Sequence, residues 1–198
     1  RDDMLLRWND QDPVSQKEID RNNAIYNEYQ HNRNPFADHP EYARRIWGSG
    51  AGNYVKVTET PADWSGEYLI VYEAGNKAFN GGLTTLDAVN NNISVTITDG
   101  EIEADEMIDA AKFTIAKSSG DSYTIRSTSG KYIGRTQASN GMDTSGTVAY
   151  TNTISLDANG NAIITGTGGY TLRFNAASGQ MRFRYYNGTQ QPVTLYKR

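Results

Sequence analysis

Tyr123-Thr-Ile-Arg-Ser-Thr-Ser-Gly-Lys-Tyr-Ile-Gly-Arg135 and Tyr170-Thr-Leu-Arg-Phe-Asn-Ala-Ala-Ser-Gly-Gln-Met-Arg-Phe-Arg184 are two versions of one pattern. Their starts lie 47 residues apart, and one residue is inserted before the second Ser-Gly. In each, an alternating apolar/polar run meets a Ser-Gly turn and is followed by a second alternating run, the signature of a β-hairpin. A weaker copy is Gly66-Glu-Tyr-Leu-Ile-Val-Tyr72 followed by Lys77-Ala-Phe-Asn-Gly81.

Outward from these hairpins the period of two persists. Further β-rich runs stand at 54–59, 93–98, 112–117, 147–156, 162–165 and 193–197. Turn residues such as Ser-Ser-Gly-Asp, Ala-Asn-Gly-Asn and Asn-Gly-Thr separate nearly all of them. About eleven short strands imply a sandwich or a barrel. Three hairpin copies in the residues from Tyr54 onward give a repeat of about 48 residues, and a threefold repeat of that length resembles a β-trefoil. The expected fold is therefore mainly β with a short α-helical N-terminal segment, the β part being β-trefoil-like or another small β-barrel.

Composition bounds the function. The chain has 198 residues, 37% hydrophobic and 21% charged, which indicates a folded protein rather than a disordered one. No apolar run is long enough for a membrane-spanning helix, so an integral helical membrane protein is excluded. Cysteine is absent, which removes disulfide scaffolds, thiol nucleophiles and Cys-based zinc sites. A net charge of −4 argues against a uniformly basic nucleic-acid coat. The chain starts at Arg1 with neither an initiator Met nor a signal peptide, and is read as part of something longer.

Residues 1–47 follow a different grammar. Met4, Leu5 and Trp8 share a helical face, Pro13 suits a first helical turn, and Ser15 with Glu18 makes a capping box. Ile19, Ile25, Tyr26 and Tyr29 recur at helical spacing, so a helix is expected over about 14–30. A third helix is expected to open at Asp38-His39-Pro40-Glu41 and to stop at Gly48. Residues 48–53, Gly-Ser-Gly-Ala-Gly-Asn, have no large side chain to bury and read as a linker to the β domain of 54–198. Helices this short rarely stand alone in water, so Trp8, Ile25, Phe36, Ile46 and Trp47 need a partner surface.

Within this segment, Leu6-Arg-Trp-Asn-Asp-Gln-Asp-Pro-Val-Ser15 leads to Glu18, Arg21-Asn22, Ile25 and Gln30. Asn32-Arg-Asn-Pro-Phe-Ala-Asp-His-Pro-Glu-Tyr42 and Ile46-Trp47 follow. This stretch resembles the C-terminal end of the endonuclease I family of secreted bacterial nucleases. The resemblance covers about a quarter of the chain. It implies a parent enzyme that hydrolyses phosphodiesters of DNA and often RNA at a ββα-metal centre. There a histidine acts as general base and a divalent metal, Mg or Ca, is held by a glutamate and an asparagine.

No position in 1–47 matches those catalytic or metal-ligand motifs, so this chain alone is expected to be inactive and to carry no cofactor. The resemblance further implies a secreted or cell-surface bacterial protein, and an upstream catalytic domain of the same polypeptide as partner. Asn32, Arg33, Asn34, Pro35, Phe36, Asp38 and His39 are then structural motif residues.

Three groups of residues remain as site candidates. His31 and His39 are the only histidines, and Asp38 and Glu41 lie close to the second; a helix cap is the simpler reading of Asp38. Residues 99–109 carry six acids without a calcium-loop spacing, which suits a solvated acidic hairpin. The segment from Ala110 to Arg198 has ten Lys/Arg against three Asp, and Gln180-Met-Arg-Phe-Arg-Tyr-Tyr186 interleaves arginine with aromatics. On a strand Arg182 and Arg184 share one face. With Arg126, Arg135 and Arg173 they are candidates for binding a nucleic acid or another anionic ligand, and Tyr186 is a candidate for stacking on a base. A soluble strand face is the simpler reading. Carbohydrate binding, with the chain as a stand-alone module for a glycan or surface polymer, is the alternative. Trp64 and the loop 76–82 would then supply the aromatic platform, although no Gln-x-Trp lectin signature occurs.

Overall fold

The computed structural model describes residues 12–40, 42 and 52–198. The chain divides into two compact units that meet between Gly52 and Asn53. The helix expected over residues 1–8 lies outside the described residues. So do most of the third expected helix and residues 48–51 of the glycine-rich stretch.

In the helical unit, α1 spans Gln16–Ile25. Its start is the capping box expected from sequence: the Ser15 side chain accepts from the Glu18 amide, and the Glu18 carboxylate accepts from the Ser15 amide at 2.8 Å. The helix widens into a π-turn over Tyr26–Gln30 and stops at His31, whose φ of 53° lies in the left-handed region. A second short helix, α2, spans Pro35–Asp38. The sequence pattern does not mark this turn, which precedes the third helix expected from Asp38. Asn34 caps it, accepting from the Phe36 amide at 3.0 Å, and proline fills its first position.

The second unit is built from fourteen strands, one short α-helix and a 3-10 turn at Glu73–Gly75. The strands are β1 (Tyr54–Lys56), β2 (Gly66–Tyr72), β3 (Lys77–Phe79), β4 (Asn92–Ser94) and β5 (Glu101–Ile102). Next come β6 (Phe113–Ser119), β7 (Ser122–Ser127), β8 (Tyr132–Gly134), β9 (Asp143–Ser145) and β10 (Thr151–Leu156). The last four are β11 (Ala162–Gly166), β12 (Thr171–Asn175), β13 (Arg182–Tyr186) and β14 (Thr194–Lys197). Helix α3 spans Glu106–Ala110.

All named strand pairs are antiparallel, and six strands form a ring. β2 pairs with β6, β6 with β7, β7 with β10, and β10 with β11. The bridge Ala162↔Val193 joins β11 to the residue ahead of β14, and β14 pairs back onto β2. Three ring strands each carry a hairpin arm: β2-β3-β4, β7-β8-β9 and β11-β12-β13. A six-stranded ring with three such arms is a β-trefoil, so the structure has the fold class the repeat indicates.

The structure also shifts the third copy of that repeat. By pairing, β7-β8 corresponds to β11-β12, whereas the sequence likeness sets β7-β8 against β12-β13. The unequal spacing explains the weak first copy: β2 and β7 start 56 residues apart, β7 and β11 only 40. The extra length carries β5, α3 and the acidic stretch.

That insertion gives the unit a second core. Along β2 the side chains alternate, yet Tyr68, Leu69, Ile70 and Val71 are all fully buried. Tyr68 and Ile70 face the main core, with Phe113, Ile125, Ile164 and Leu195. Leu69 and Val71 face a smaller cluster closed by Ile102, Ile108 and Tyr196. A row of aromatic rings runs from Phe113 on β6 through Phe79 on β3 to Phe183 on β13 and Phe174 on β12. Its centroids are 4.8–5.2 Å apart, and each pair adds about 0.5–1.5 kcal/mol beyond its buried area. The row ties the first arm to the third. Trp64 is 3% exposed and belongs to the main core, so its indole offers no platform to a sugar.

Candidate functional site

The motif residues of the helical unit form a polar lock. Asn22, on α1, is 5% exposed and is the only fully buried residue among those described in this unit. Its Oδ1 accepts from the Asn34 amide at 2.8 Å, and its Nδ2 donates to Asp38 Oδ1 at 3.1 Å. Arg33 donates from Nε to Asp38 Oδ2 at 2.6 Å and from Nη1 to Asn23 Oδ1 at 2.8 Å. The Arg33 guanidinium holds the Asp38 carboxyl below the usual carboxylate range.

Asp38 is thus the anchor of the lock, and Asn34 caps α2. The helix that Asp38 is expected to cap lies mostly outside the described residues. The His39 ring stacks on Tyr42 at 4.8 Å, Phe36 is half-buried and Asn32 is exposed. Pro35 sets the φ of the first turn of α2 and its carbonyl accepts from the His39 amide at 2.8 Å. Among the described residues no group of three or more His, Asp or Glu is placed to hold a metal. A divalent centre does not fit these side chains, because Asp38 is already committed to Arg33 and Asn22.

The acidic stretch is likewise structural. Asp99 and Gly100 turn the chain with φ of 51° and 78°. Asp105 caps α3 through the Ile108 amide at 2.7 Å. Asp109 accepts from the Tyr54 hydroxyl at 2.8 Å and pairs with Arg198.

The arginine candidates divide between two arms. On the second, Arg126 lies 5.3 Å over the Tyr132 ring and donates to the Gly130 carbonyl at 3.2 Å. Arg135 is enclosed by its own hairpin. Its Nε donates to the Ser139 carbonyl at 2.8 Å and its Nη1 to Asp143 at 2.9 Å, and the side chain is 11% exposed. Burial pushes the Asp143 carboxyl up, but hydrogen bonds from Thr136 and the Arg135 charge outweigh it and hold the group below its usual range.

The third arm gathers the rest on one outward face. In the β12–β13 pair, Thr171 stands opposite Tyr186, Arg173 opposite Arg184 and Asn175 opposite Arg182. Alternation turns Phe183 and Tyr185 inward, where the Tyr185 hydroxyl donates to Asn152 at 2.7 Å. Two arginines directly opposite each other repel, a cost that a folded sheet must offset. Asp87 partly offsets it by gripping Arg184 in a fork, at 2.7 Å to Nε and 2.8 Å to Nη2, which raises the Arg184 pKa. Arg173 donates to Thr171 Oγ1 and to the Gln190 carbonyl, both at 3.1 Å, and Arg182 donates to Gln180.

Two donors on this face have no hydrogen-bond partner among the described residues: Arg182 Nε and the Tyr186 hydroxyl. Each buried donor left so costs about 1–3 kcal/mol. Tyr186 is 4% exposed, so its π-face is closed to a base and stacking on it is removed; its hydroxyl is buried as well. Exposed aromatic side chains among the described residues are Tyr26 and Tyr29, both in the helical unit.

The face is held in place from the first arm. Asn91, fully buried, donates from Nδ2 to the Leu86 carbonyl at 2.7 Å and to the Phe183 carbonyl at 2.9 Å. Its Oδ1 accepts from the Phe183 amide at 2.8 Å. The Asn90 amide donates to Met181 at 2.6 Å. Sequence patterning singled out Arg182 and Arg184 through their alternation and named Arg173 with Arg126 and Arg135 as their neighbours. It missed Asp87 and Asn91, which lie more than 90 residues away in a loop with no distinguishing motif. Beside Arg173 a pocket lined by Asp157, Asn161, Ile163, Thr171 and Pro192 has a volume of about 40 Å³, room for a water but not for a sugar ring.

Comparison with known proteins separates the two units. Residues 1–41 match the Endonuclease I family model. A 44-residue segment is 66% identical to an extracellular ribonuclease of Bacillus amyloliquefaciens and 64% identical to one of Bacillus subtilis (strain 168). Each match covers 22% of this chain and only 15% of the relative's length. Among solved structures, a designed threefold-symmetric protein, ThreeFoil, aligns with 67% of this chain and 99% of its own, at 18% identity and a TM-score of 0.46. The BEL β-trefoil in its apo form aligns with 73% of this chain and all of its own, at 17% identity and a TM-score of 0.46. The chain thus joins an N-terminal segment similar to Endonuclease I, over residues 1–41, to a β-trefoil unit.

Proposed function

We propose that this chain is the C-terminal part of a secreted, metal-dependent endonuclease. Residues 1–47 complete the catalytic domain, residues 48–53 link, and residues 54–198 form an accessory binding or anchoring domain. The observation that carries the reading is the 44-residue segment at about 65% identity to extracellular ribonucleases. Its most specific residues are spent on the Asn22–Arg33–Asp38 lock rather than on chemistry. A second observation supports it: none of the described apolar side chains of the helical unit, Val14, Ile19, Ile25 and Phe36 among them, is fully buried. A segment that buries so little apolar surface on its own gains its stability by packing on a larger body.

In this reading the upstream catalytic domain supplies the histidine base and the metal ligands. This chain supplies the closing helices and a second domain that holds the enzyme near its substrate or surface. The test is cleavage of supercoiled plasmid and of RNA in Mg or Ca. The 198-residue chain alone leaves both intact, and the polypeptide extended upstream through its catalytic segment cuts. Cleavage by the chain alone, or an upstream coding region with no nuclease motif, refutes the proposal. Binding in a glycan array without any binding of nucleic acid makes the carbohydrate module the better reading.

A further inference from the structure

We propose that the outward face of β12–β13 is an oxyanion site whose ligand is the phosphodiester backbone of a nucleic-acid strand. The choice of nucleic acid rests on the nuclease reading above; the oxyanion chemistry rests on the face itself. Three guanidinium groups, Arg173, Arg184 and Arg182, stand on neighbouring cross-strand positions against two carboxylates, Asp87 in a fork with Arg184 and Asp157 beside Arg173. Each guanidinium has five N–H donors in a planar fork. Arg173 uses Nε and Nη1, Arg184 uses Nε and Nη2, and Arg182 uses Nη2. Each side chain therefore keeps donors to spare.

The independent sign of a ligand is Tyr186. Its side chain is almost wholly buried, its hydroxyl has no partner among the described residues, and it interacts electrostatically with the Arg184 guanidinium. Arg182 Nε is a second unpartnered donor on the same face. An oxyanion accepts from both and screens the repulsion between Arg173 and Arg184. No exposed aromatic of the β unit is available to stack on a base, so the site grips the backbone and is indifferent to sequence.

The test uses the 198-residue chain and a fluorescein-labelled oligo(dT) in an anisotropy titration at several salt concentrations, with heparin as the sulfated-glycan probe. The double variant Arg173→Gln/Arg182→Gln is expected to bind the oligonucleotide at least tenfold more weakly. Its log–log salt slope is expected to flatten by about 1.4, the value for two lost single-strand phosphate contacts. Tyr186→Phe is expected to lose about threefold in affinity with the slope unchanged. Should the double variant melt early, Arg182→Lys keeps the charge and removes the fork, and a loss of threefold or more is expected there.

Unchanged affinity in the double variant and in Tyr186→Phe overturns the proposal, as does an absence of binding. Arginine-dependent binding of heparin without binding of oligonucleotide overturns the phosphodiester assignment in favour of a sulfated glycan. Cleavage by the extended polypeptide is a separate readout: cleavage with no binding here removes only this inference, and binding here with no cleavage removes only the nuclease reading.

Discussion

Replacing Asn91 tests how the first arm holds the third. Its fully buried amide makes three hydrogen bonds, two to the Leu86 and Phe183 carbonyls and one from the Phe183 amide. Asn91→Ala removes all three and leaves the Phe183 amide and two carbonyls short of partners beneath the aromatic row. At about 1–1.5 kcal/mol for each of the three hydrogen bonds, the cost is about 3–5 kcal/mol. A domain of this size has roughly 7–20 kcal/mol of stability, so it stays folded. The melting temperature falls by about 8–15 °C.

Asn91→Asp keeps the shape but sets a carboxylate against two carbonyls, and costs at least as much. Val89→Ala, on the same loop at a side chain 41% exposed, is the control and changes stability by less than about 0.5 kcal/mol. The assay is thermal unfolding followed by near-ultraviolet circular dichroism, which reports the packed rings. An Asn91→Ala melting point within about 2 °C of the parent would refute the reasoning.

Three further outcomes are expected. Gly168→Ala is destabilised by about 1–3 kcal/mol in a denaturant titration, because its new methyl would lie 2.5 Å from the Gln137 carbonyl oxygen; Gly146→Ala, with nothing within 4 Å, is neutral. Asp143, with its pKa lowered in the folded state, adds stability that is fully present above the ordinary aspartate value near 3.9 and is lost as pH falls through the folded value. Asp143→Asn therefore melts lower at pH 7 and loses less than the parent on acidification, as a pH series of melting curves will show. In the helical unit, Asp38→Asn removes the charge that Arg33 grips, and amide exchange over residues 16–38 accelerates while the β unit is unaffected.

Much of this architecture is visible in the sequence because it rests on local chemistry. The capping box at Ser15 and Glu18 needs only four residues, and the alternation of residues 182–186 needs only one strand. The strands β3, β5 and β9 have two or three residues each, too few to show a period, and exist through their partners. The phase of the third repeat is hidden for a related reason. Every hairpin in a trefoil alternates inward and outward, so β12-β13 mimics β7-β8 although pairing makes β11-β12 its equivalent. The site shows the same division. Its arginines announce themselves by spacing, whereas Asp87 and Asn91 act only once the chain has brought two arms together. Tyr186, a candidate for stacking from sequence, is buried by its neighbours.

The ring closes with the strand that is synthesised last. Thr194 on β14 bonds the Val71 carbonyl across 123 residues, and Val193 bridges to Ala162 on the other side. On the ribosome the arms β7-β8-β9 and β11-β12-β13 emerge whole and can pair locally, but β2 waits for β14 with its edge unpaired. The entropic cost of that closure grows only slowly with loop length, yet the search it requires is slow. The trefoil unit therefore completes its fold after β14 has left the exit tunnel, in one late step. Until then, an open β2 edge flanked by Leu69, Ile70 and Val71 is the surface a chaperone or a second nascent chain meets first.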